Sequence, residues 1–368
     1  MESVQLVNNP LVTECCRVER LYTGGALLDR WQGMGTEKDG SMSEEYLLST
    51  SEYMGPGHPP ENGLSRIALP DGGYETLVSL IQKNQAGFLG ELYQETTRGH
   101  SGVLVRAGDS TVRLVIQCHP TEEKARTVLG IPFGKTEAWY IAETRRVNGE
   151  APHLYCGFRK GVNREKWKTL LETQDVDGML ACMYKFEIQK GDCILIPAGM
   201  PHAMGPGALF VEVHEPCDYT IRMEKHYAVR SLSDEEMHYG LGFDALLDFF
   251  DYTTYSQAEI EKKCIMRPKL VREEQGGCQY DLITYAENER FEMKKLTVTG
   301  SFEPSAFDGH FGIITVRNGV RLVWKHGEMD VPQGRGIFVP AKVEGLRLEG
   351  EADVLLAYPF QIAKAGVS

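Results

Sequence analysis

Short runs of β-branched and aromatic residues, separated by Gly, Pro and Asp, dominate this 368-residue chain from about residue 102 onward. The segments 103–105, 111–116, 139–141, 193–196 and 209–213 are examples. Many short strands with regular turn residues between them are typical of β-sandwiches and β-barrels. The sequence therefore predicts a mainly β fold.

Two helical segments interrupt the predicted strands. Asn163 is a suitable N-cap for a helix over 164–172, and Ser233 to Glu236 has the spacing of a capping box ahead of apolar residues at 243–250. The strand pattern returns after about residue 268. There, Asn318-Gly319 predicts a β-hairpin, because this dipeptide readily supplies the positive φ of a type I′ turn.

Composition restricts the class of partner. The chain has 39 Lys and Arg against 52 Asp and Glu, a net charge of −13, which argues against nucleic acid and an anionic membrane surface as partners. No apolar run reaches the ~18 residues of a membrane span, and the N-terminus lacks the pattern of a signal peptide. Nine cysteines without a Cys-x-x-Cys pair indicate reduced thiols, so we expect a cytoplasmic protein.

Several polar residues fall at the ends of predicted strands. Gln117 and His119 lie two residues apart and share a strand face, as do Lys135 and Glu137, while His202 follows a Pro-Ala-Gly turn. Two imidazoles, a carboxylate and an amide oxygen suit a divalent ion such as zinc. Taken singly, each residue could instead cap a backbone group or face solvent. Their combination predicts a metal site.

The motifs Gln-x-His-Pro, Gly-Lys-Thr-Glu-x-Trp-Tyr and Pro-Ala-Gly-x-x-His-Ala at 117–120, 134–140 and 197–203 resemble those of type I phosphomannose isomerases, a family of the cupin superfamily. The resemblance is close from about residue 111 to 222 and loose outside that range. It implies one Zn²⁺ per chain, with four ligands: Gln117, His119, Glu137 and His202.

The resemblance continues beyond the metal ligands. It implies that Arg222 is catalytic and that Lys135 lines the substrate pocket. Glu212 lies in an apolar strand and shares a face with Phe210 and His214, so its charge, if aimed into a barrel, must be paired or bind a ligand. The segment His214-Glu215-Pro216 departs from the family pattern.

Interconversion of an aldose and a ketose moves a proton between C1 and C2 through an enediol. A carboxylate can carry that proton, and a metal or cation stabilises the negative oxygen. Glu212 is the candidate base, with Arg222 stabilising the enediolate or the phosphate and Lys135 supplying a second cation. The expected substrate is a phosphorylated hexose, with mannose 6-phosphate and fructose 6-phosphate as the interconverted pair.

Three alternatives stay open from the sequence. The chain could be an isomerase acting on another sugar, another cupin enzyme such as a glucose-6-phosphate isomerase or an oxygenase, or a non-catalytic, metal-containing sugar-binding protein. Fold analogy does not decide among them, because cupin barrels support many chemistries. The presence of both Glu212 and Arg222 favours an enzyme.

An internal repeat suggests how the chain is divided. Gly191 and Gly334 are each followed, after an apolar run, by Pro-Ala, and Gly345 stands in the second copy where His202 stands in the first. Chance recurrence is the alternative. We predict two cupin (jelly-roll) barrels with a small helical insert: a metal-binding catalytic domain over 1–227, the insert over 228–268, and a metal-free cupin-like domain over 269–368.

Overall fold

A computed structural model describes residues 6–54, 58–69, 72–93, 97–227 and 229–360 of the chain. Most of its regular structure is β, which confirms the predicted mainly β class; the arrangement as two barrels stays a prediction. Strands β1 to β24 lie, in order, at Leu11–Val12, Arg17–Val18, Glu44–Leu48, Arg66–Ala68, Tyr74–Thr76, Leu104–Asp109, Gln117–Cys118, Glu137–Thr144, His153–Arg159, Met183–Glu187, Cys193–Ile196, His202–Met204, Ala208–His214, Ile221–Arg222, Thr254–Tyr255, Ile265–Met266, Lys269–Glu274, Gly277–Ile283, Phe291–Phe302, Phe311–Arg317, Val320–Trp324, Gly327–Val331, Gly336–Val339 and Arg347–Pro359.

Helices are short and lie between the strands. The α-helices span Ala26–Gln32, Leu77–Lys83, Gln85–Leu89, Glu122–Lys124, Arg164–Thr173, Val176–Ala181, Asp234–His238, Phe243–Leu247 and Gln257–Cys264, and a π-helical turn spans Ala125–Leu129. Among the described residues, no helix has the length and apolar character needed to span a membrane. All nine cysteines are free thiols.

Three large sheets form the molecule. One has the order β16-β11-β8-β13-β6-β3-β2, a second runs β10-β9-β12-β7-β14 with β15 beside β9, and the third runs β1-β23-β20-β24-β19-β18-β17 with β21 and β22 attached. The third sheet draws on residues from 269 onward and also on β1, in which Leu11 pairs with Phe338. The N-terminal strand thus completes a sheet otherwise built from the C-terminal part of the chain.

The first sheet is covered on both faces. Tyr140 and Val211 belong to a core shared with the third sheet, whereas Trp139 and Phe210, one residue away on the same strands, pack toward the second sheet. A strand buried on both faces carries apolar residues at successive positions rather than in strict alternation. The face toward the second sheet also holds the charged residues described below.

Two helix starts confirm the capping predictions. Asn163 accepts a hydrogen bond from the backbone N–H of Lys166, and the helix that follows buries Trp167. Ser233 and Glu236 form a complete capping box. The helix predicted over 243–250 is shorter, since it ends at Leu247.

The strand predicted over 111–116 is wrong. This segment is irregular, and only Gln117–Cys118 pairs as a strand. Its polar groups bond to several partners instead of one neighbouring strand. Glu224, a buried carboxylate, accepts hydrogen bonds from the Arg113 guanidinium and from the backbone N–H of Ile116. The N–H of Leu114 donates to the carbonyl of Met204. The segment thus satisfies its backbone without continuous strand pairing.

The hairpin predicted at Asn318-Gly319 is also wrong. The strands on either side, β20 and β21, do not pair with each other; both pair with successive parts of the long strand β24. Asn318 does adopt a positive φ of 60°, and its side-chain amide donates to the carbonyl of Glu351 at 2.8 Å. The dipeptide therefore connects β20 to β21, which pair with neighbouring parts of β24, and the positive φ of Asn318 serves this connection instead of a hairpin turn.

Candidate metal centre and active site

Two histidines and a glutamate converge between the first and second sheets. Glu137 begins β8, His202 begins β12, and His119 directly follows β7. Their potential ligand atoms all lie within 4.8 Å of one another, and all three side chains are buried. The ring centroids of the two histidines are 5.0 Å apart. A single ion could therefore contact all three residues.

The imidazoles are oriented as metal ligands should be. The Nδ1–H of His119 donates to the carbonyl of Tyr219 and that of His202 to the carbonyl of Met200, both at 2.9 Å. A carbonyl can only accept, so each Nε2 carries a lone pair, and these lone pairs face the Glu137 carboxylate at 3.2 and 3.1 Å. Burial lowers the pKa of His119 to about 3, which keeps its ring neutral. Three electron-pair donors facing one another fit a divalent cation such as zinc.

Two glycines allow the backbone to bring these residues together. A Cβ on Gly134 would lie 2.8 Å from the carbonyl oxygen of Pro120, which accepts a hydrogen bond from the N–H of Lys135. Gly199 adopts a φ of 80° and donates its N–H to the carbonyl of His119 at 2.8 Å. The motif glycines therefore hold the loops against the first histidine.

Gln117 lies beside the candidate ligand His202. It is the direct partner of His202 in the β7–β12 pairing and of Arg222 in the β7–β14 pairing, so the three side chains share one face. Its amide nitrogen lies 3.1 Å from Nε2 of His202. To act as a ligand, the amide must rotate and present its oxygen instead. Its role as fourth ligand stays a prediction.

Arg222 is buried but engaged elsewhere. Its guanidinium donates to the carbonyl of Glu236 at 2.6 Å and to the hydroxyl of Tyr239 at 3.4 Å. Arg222 is thus tied to the helix Asp234–His238, and its predicted catalytic role stays a prediction.

Lys135 and Glu212 lie next to the candidate metal ligands. The ammonium nitrogen of Lys135 is 3.3 Å from Oε2 of Glu137 and 3.3 Å from Oε1 of Glu212, and its side chain has no exposed surface. Glu212 lies opposite Trp139 in β8, on the face toward the second sheet. A buried ammonium between two carboxylates is arranged to hold or stabilise negative charge.

The other charged residues around Lys135 and Glu212 were not predicted from the sequence. Arg106 contacts Glu212 at 2.9 Å, Asp218 at 3.1 Å and Glu44 at 3.2 Å, and Arg20 contacts Glu44 at 3.2 Å. We call the following residues the buried charge cluster: Arg20, Glu44, Arg106, Lys135, Glu137, Glu212 and Asp218. A signal was present, because Arg106 interrupts an apolar strand, where a charge is costly unless paired.

Protonation differs among the carboxylates of the cluster. Burial raises the pKa of Glu212, although Arg106 and Lys135 act against that rise. Burial alone would also raise the pKa of Glu137, but that pKa lies well below its ordinary value, in the direction that the Lys135 ammonium group beside it favours. Glu137 is therefore the ionised carboxylate expected of a metal ligand, and Glu212 is the carboxyl better suited to exchange a proton.

The chain is similar in sequence to proteins named mannose-6-phosphate isomerase. No protein-family model matches the chain. The chain is 24% identical over 350 residues to a Bacillus subtilis protein named "Putative mannose-6-phosphate isomerase YvyI", covering 92% of this chain and 96% of that protein. It is 29% identical over 121 residues, 33% of its length, to mannose-6-phosphate isomerase ManA of the same bacterium, of which it covers 36%.

The fold is shared with solved structures. The crystal structure of the mannose 6-phosphate isomerase from Bacillus subtilis superposes with a TM-score of 0.72 at 18% identity, over 95% of this chain and 99% of that one. A structure described as that of "a putative mannosephosphate isomerase from Archaeoglobus fulgidus" gives the same TM-score at 18% identity, over 97% of this chain and 100% of that one. The chain is thus similar in sequence, along most of its length, and in fold to proteins named mannose-6-phosphate isomerase.

Proposed function

We propose that the chain is a zinc-dependent aldose–ketose isomerase that interconverts mannose 6-phosphate and fructose 6-phosphate. One observation carries most weight: two imidazole Nε2 atoms with available lone pairs face the ionised carboxylate of Glu137, directly beside the ammonium group of Lys135. Gln117, His119, Glu137 and His202 would hold the ion. When bound, zinc would polarise a substrate oxygen as a Lewis acid.

Glu212 is the proposed base that carries the proton between C1 and C2. It is buried, and the ammonium group of Lys135 lies between it and Glu137. Burial raises the pKa of Glu212 toward the range in which a carboxylate can both accept and return a proton. The neighbouring Trp139 and Phe210 limit access of water to this region.

The cations of the site would stabilise the anionic substrate. Lys135 and Arg106 already face Glu212, so they are placed to balance negative charge that develops next to it. Arg222 shares a sheet face with Gln117 and His202 and would contribute a guanidinium to the enediolate or the phosphate. A protein with a net charge of −13 gives no long-range attraction to a phosphate, so these local cations must provide it.

The proposal is tested by assaying purified, zinc-loaded protein against a panel of phosphorylated and free hexoses. We expect interconversion of mannose 6-phosphate and fructose 6-phosphate, and loss of turnover in Glu212→Gln with zinc content unchanged. Conversion of glucose 6-phosphate alone would indicate a different isomerase. Absence of turnover with every sugar, in protein that holds one zinc per chain, would contradict the proposal.

A further inference from the structure

His214 is a buried histidine whose role the proposed mechanism leaves open. It ends β13, two residues after Glu212 on the same strand face, and it is the direct partner of Glu137 in β8. Its side chain has no exposed surface. The segment that contains it is also where the sequence departs from the family pattern.

The ring of His214 has a fixed orientation. Its Nδ1–H donates to the backbone carbonyl of Glu215 at 2.6 Å, so Nε2 carries the lone pair. This Nε2 lies 3.4 Å from Oε1 of Glu212 and makes no hydrogen bond within the part of the chain that the structure describes.

An imidazole lone pair and a carboxylate oxygen do not satisfy each other when neither atom carries a proton. The two cations nearby, Lys135 and Arg106, contact Glu212 on its Oε1 atom. His214 Nε2 is thus a buried acceptor beside the candidate base, and buried acceptors are normally hydrogen-bonded. A hydroxyl group is a donor that could bond Nε2 without adding charge to the cluster.

We propose that Nε2 of His214 accepts a hydrogen bond from a hydroxyl group of the sugar, next to the carbon that Glu212 serves, and thereby orients the sugar and selects for that hydroxyl. This inference rests on the proposed isomerase function. Neither metal binding nor proton transfer is assigned to His214. It is a positioning residue that distinguishes sugars by a hydroxyl.

The test combines variants with substrate analogues that cannot react. Inhibition constants are measured for mannitol 6-phosphate and its 1-deoxy, 2-deoxy and 3-deoxy analogues on the wild-type protein, His214→Leu and His214→Gln. His153→Gln is the matched control, because His153 is also buried and directs Nδ1 at a backbone carbonyl, that of Ala151. Melting temperature and zinc content are recorded for each preparation.

We expect one deoxy analogue to bind the wild-type protein about 10- to 100-fold more weakly than mannitol 6-phosphate, because the missing hydroxyl group leaves Nε2 of His214 buried and unpaired. His214→Leu should lose a similar factor for the parent and lose nothing further for that analogue. His214→Gln should recover part of the loss, and His153→Gln should match the wild type. Equal losses in His214→Leu for all four compounds would overturn the proposal.

A second measurement uses the wild-type protein, in case His214→Leu does not fold. The ¹⁵N resonance of His214 Nε2 should move upfield when mannitol 6-phosphate saturates the protein and stay in place with the discriminating deoxy analogue. An unchanged resonance with the parent compound would refute the inference. Wild-type protein that neither binds nor converts any hexose phosphate would refute the proposed function as well, whereas active protein with equal losses refutes only the role of His214.

Discussion

Replacing Lys135 by Met should destabilise the metal-free protein strongly. The ammonium group lies 3.3 Å from both Glu137 and Glu212, with no exposed surface. At an effective dielectric constant of about 20, each pair contributes about 5 kcal/mol of gross Coulomb attraction, most of it offset by desolvation of the charges. Breaking a buried pair by removing one partner typically costs about 3–5 kcal/mol, and we expect a loss in that range.

The loss should depend on pH in a defined direction. Burial raises the pKa of Glu212, and removal of its cationic neighbour should raise that pKa further. A carboxyl group with a raised pKa in the folded state stabilises the protein while it is protonated and loses that contribution as pH rises through the raised pKa. The stability difference between Lys135→Met and the wild type should therefore grow from pH 5 to pH 8.

Urea unfolding of chelator-treated protein measures this difference. Lys185→Met is the matched control, since Lys185 lies 3.1 Å from Glu150 but both side chains are more than 40% exposed, and such pairs contribute at most about 1 kcal/mol. A loss below about 1 kcal/mol in Lys135→Met, equal to that of the control, would refute the reasoning that Lys135 neutralises two buried carboxylates.

Two further predictions concern the arginines near the helix Asp234–His238. Arg222→Ala should lower turnover by about 10²–10³-fold while zinc content stays constant. Arg222→Lys should restore only part of the turnover, because Lys lacks the planar guanidinium group that can bond two oxygens at once. Activity that falls only in proportion to folded protein would mean a structural role. The hydrogen bonds from Arg230 lower the pKa of Glu236 to about 2, so this carboxylate should stabilise the fold above its ordinary pKa of 4.5 and lose that contribution as pH falls toward 2. In Arg230→Gln, an NMR titration should show the pKa of Glu236 returning toward 4.5; an unchanged pKa would contradict the assignment.

Local features of this fold were predictable from sequence. The helix after Asn163 and the capping box at Ser233 follow from hydrogen bonds within one turn of chain, so neighbouring residues determine them. The candidate metal ligands could be selected from the sequence because their motifs combine fixed spacing with residue types that few other structures require. Asn318 was correctly expected at a turn, but its connection depends on β24, about 30 residues away.

The buried charge cluster was not predictable in the same way. Arg106 meets Glu44 and Glu212 through the register of three strands distant in sequence, and a slip of one residue would turn each side chain to the opposite face. The pairing of β1 with β23 joins residues more than 300 positions apart. Hydrophobic patterns indicate that such strands exist, whereas their partners are decided by packing of the whole chain.

We propose that one zinc ion, held by His119, Glu137 and His202, is required for isomerisation. The direct measurement is the rate of mannose 6-phosphate conversion during titration of chelator-treated protein with zinc, for the wild type, His202→Ala and the control His153→Gln. We expect that the activity of the wild type and the control rises linearly and saturates at one zinc per chain, while His202→Ala neither binds the ion tightly nor gains activity. Full activity in protein that holds less than about a tenth of an equivalent of any divalent metal would contradict it.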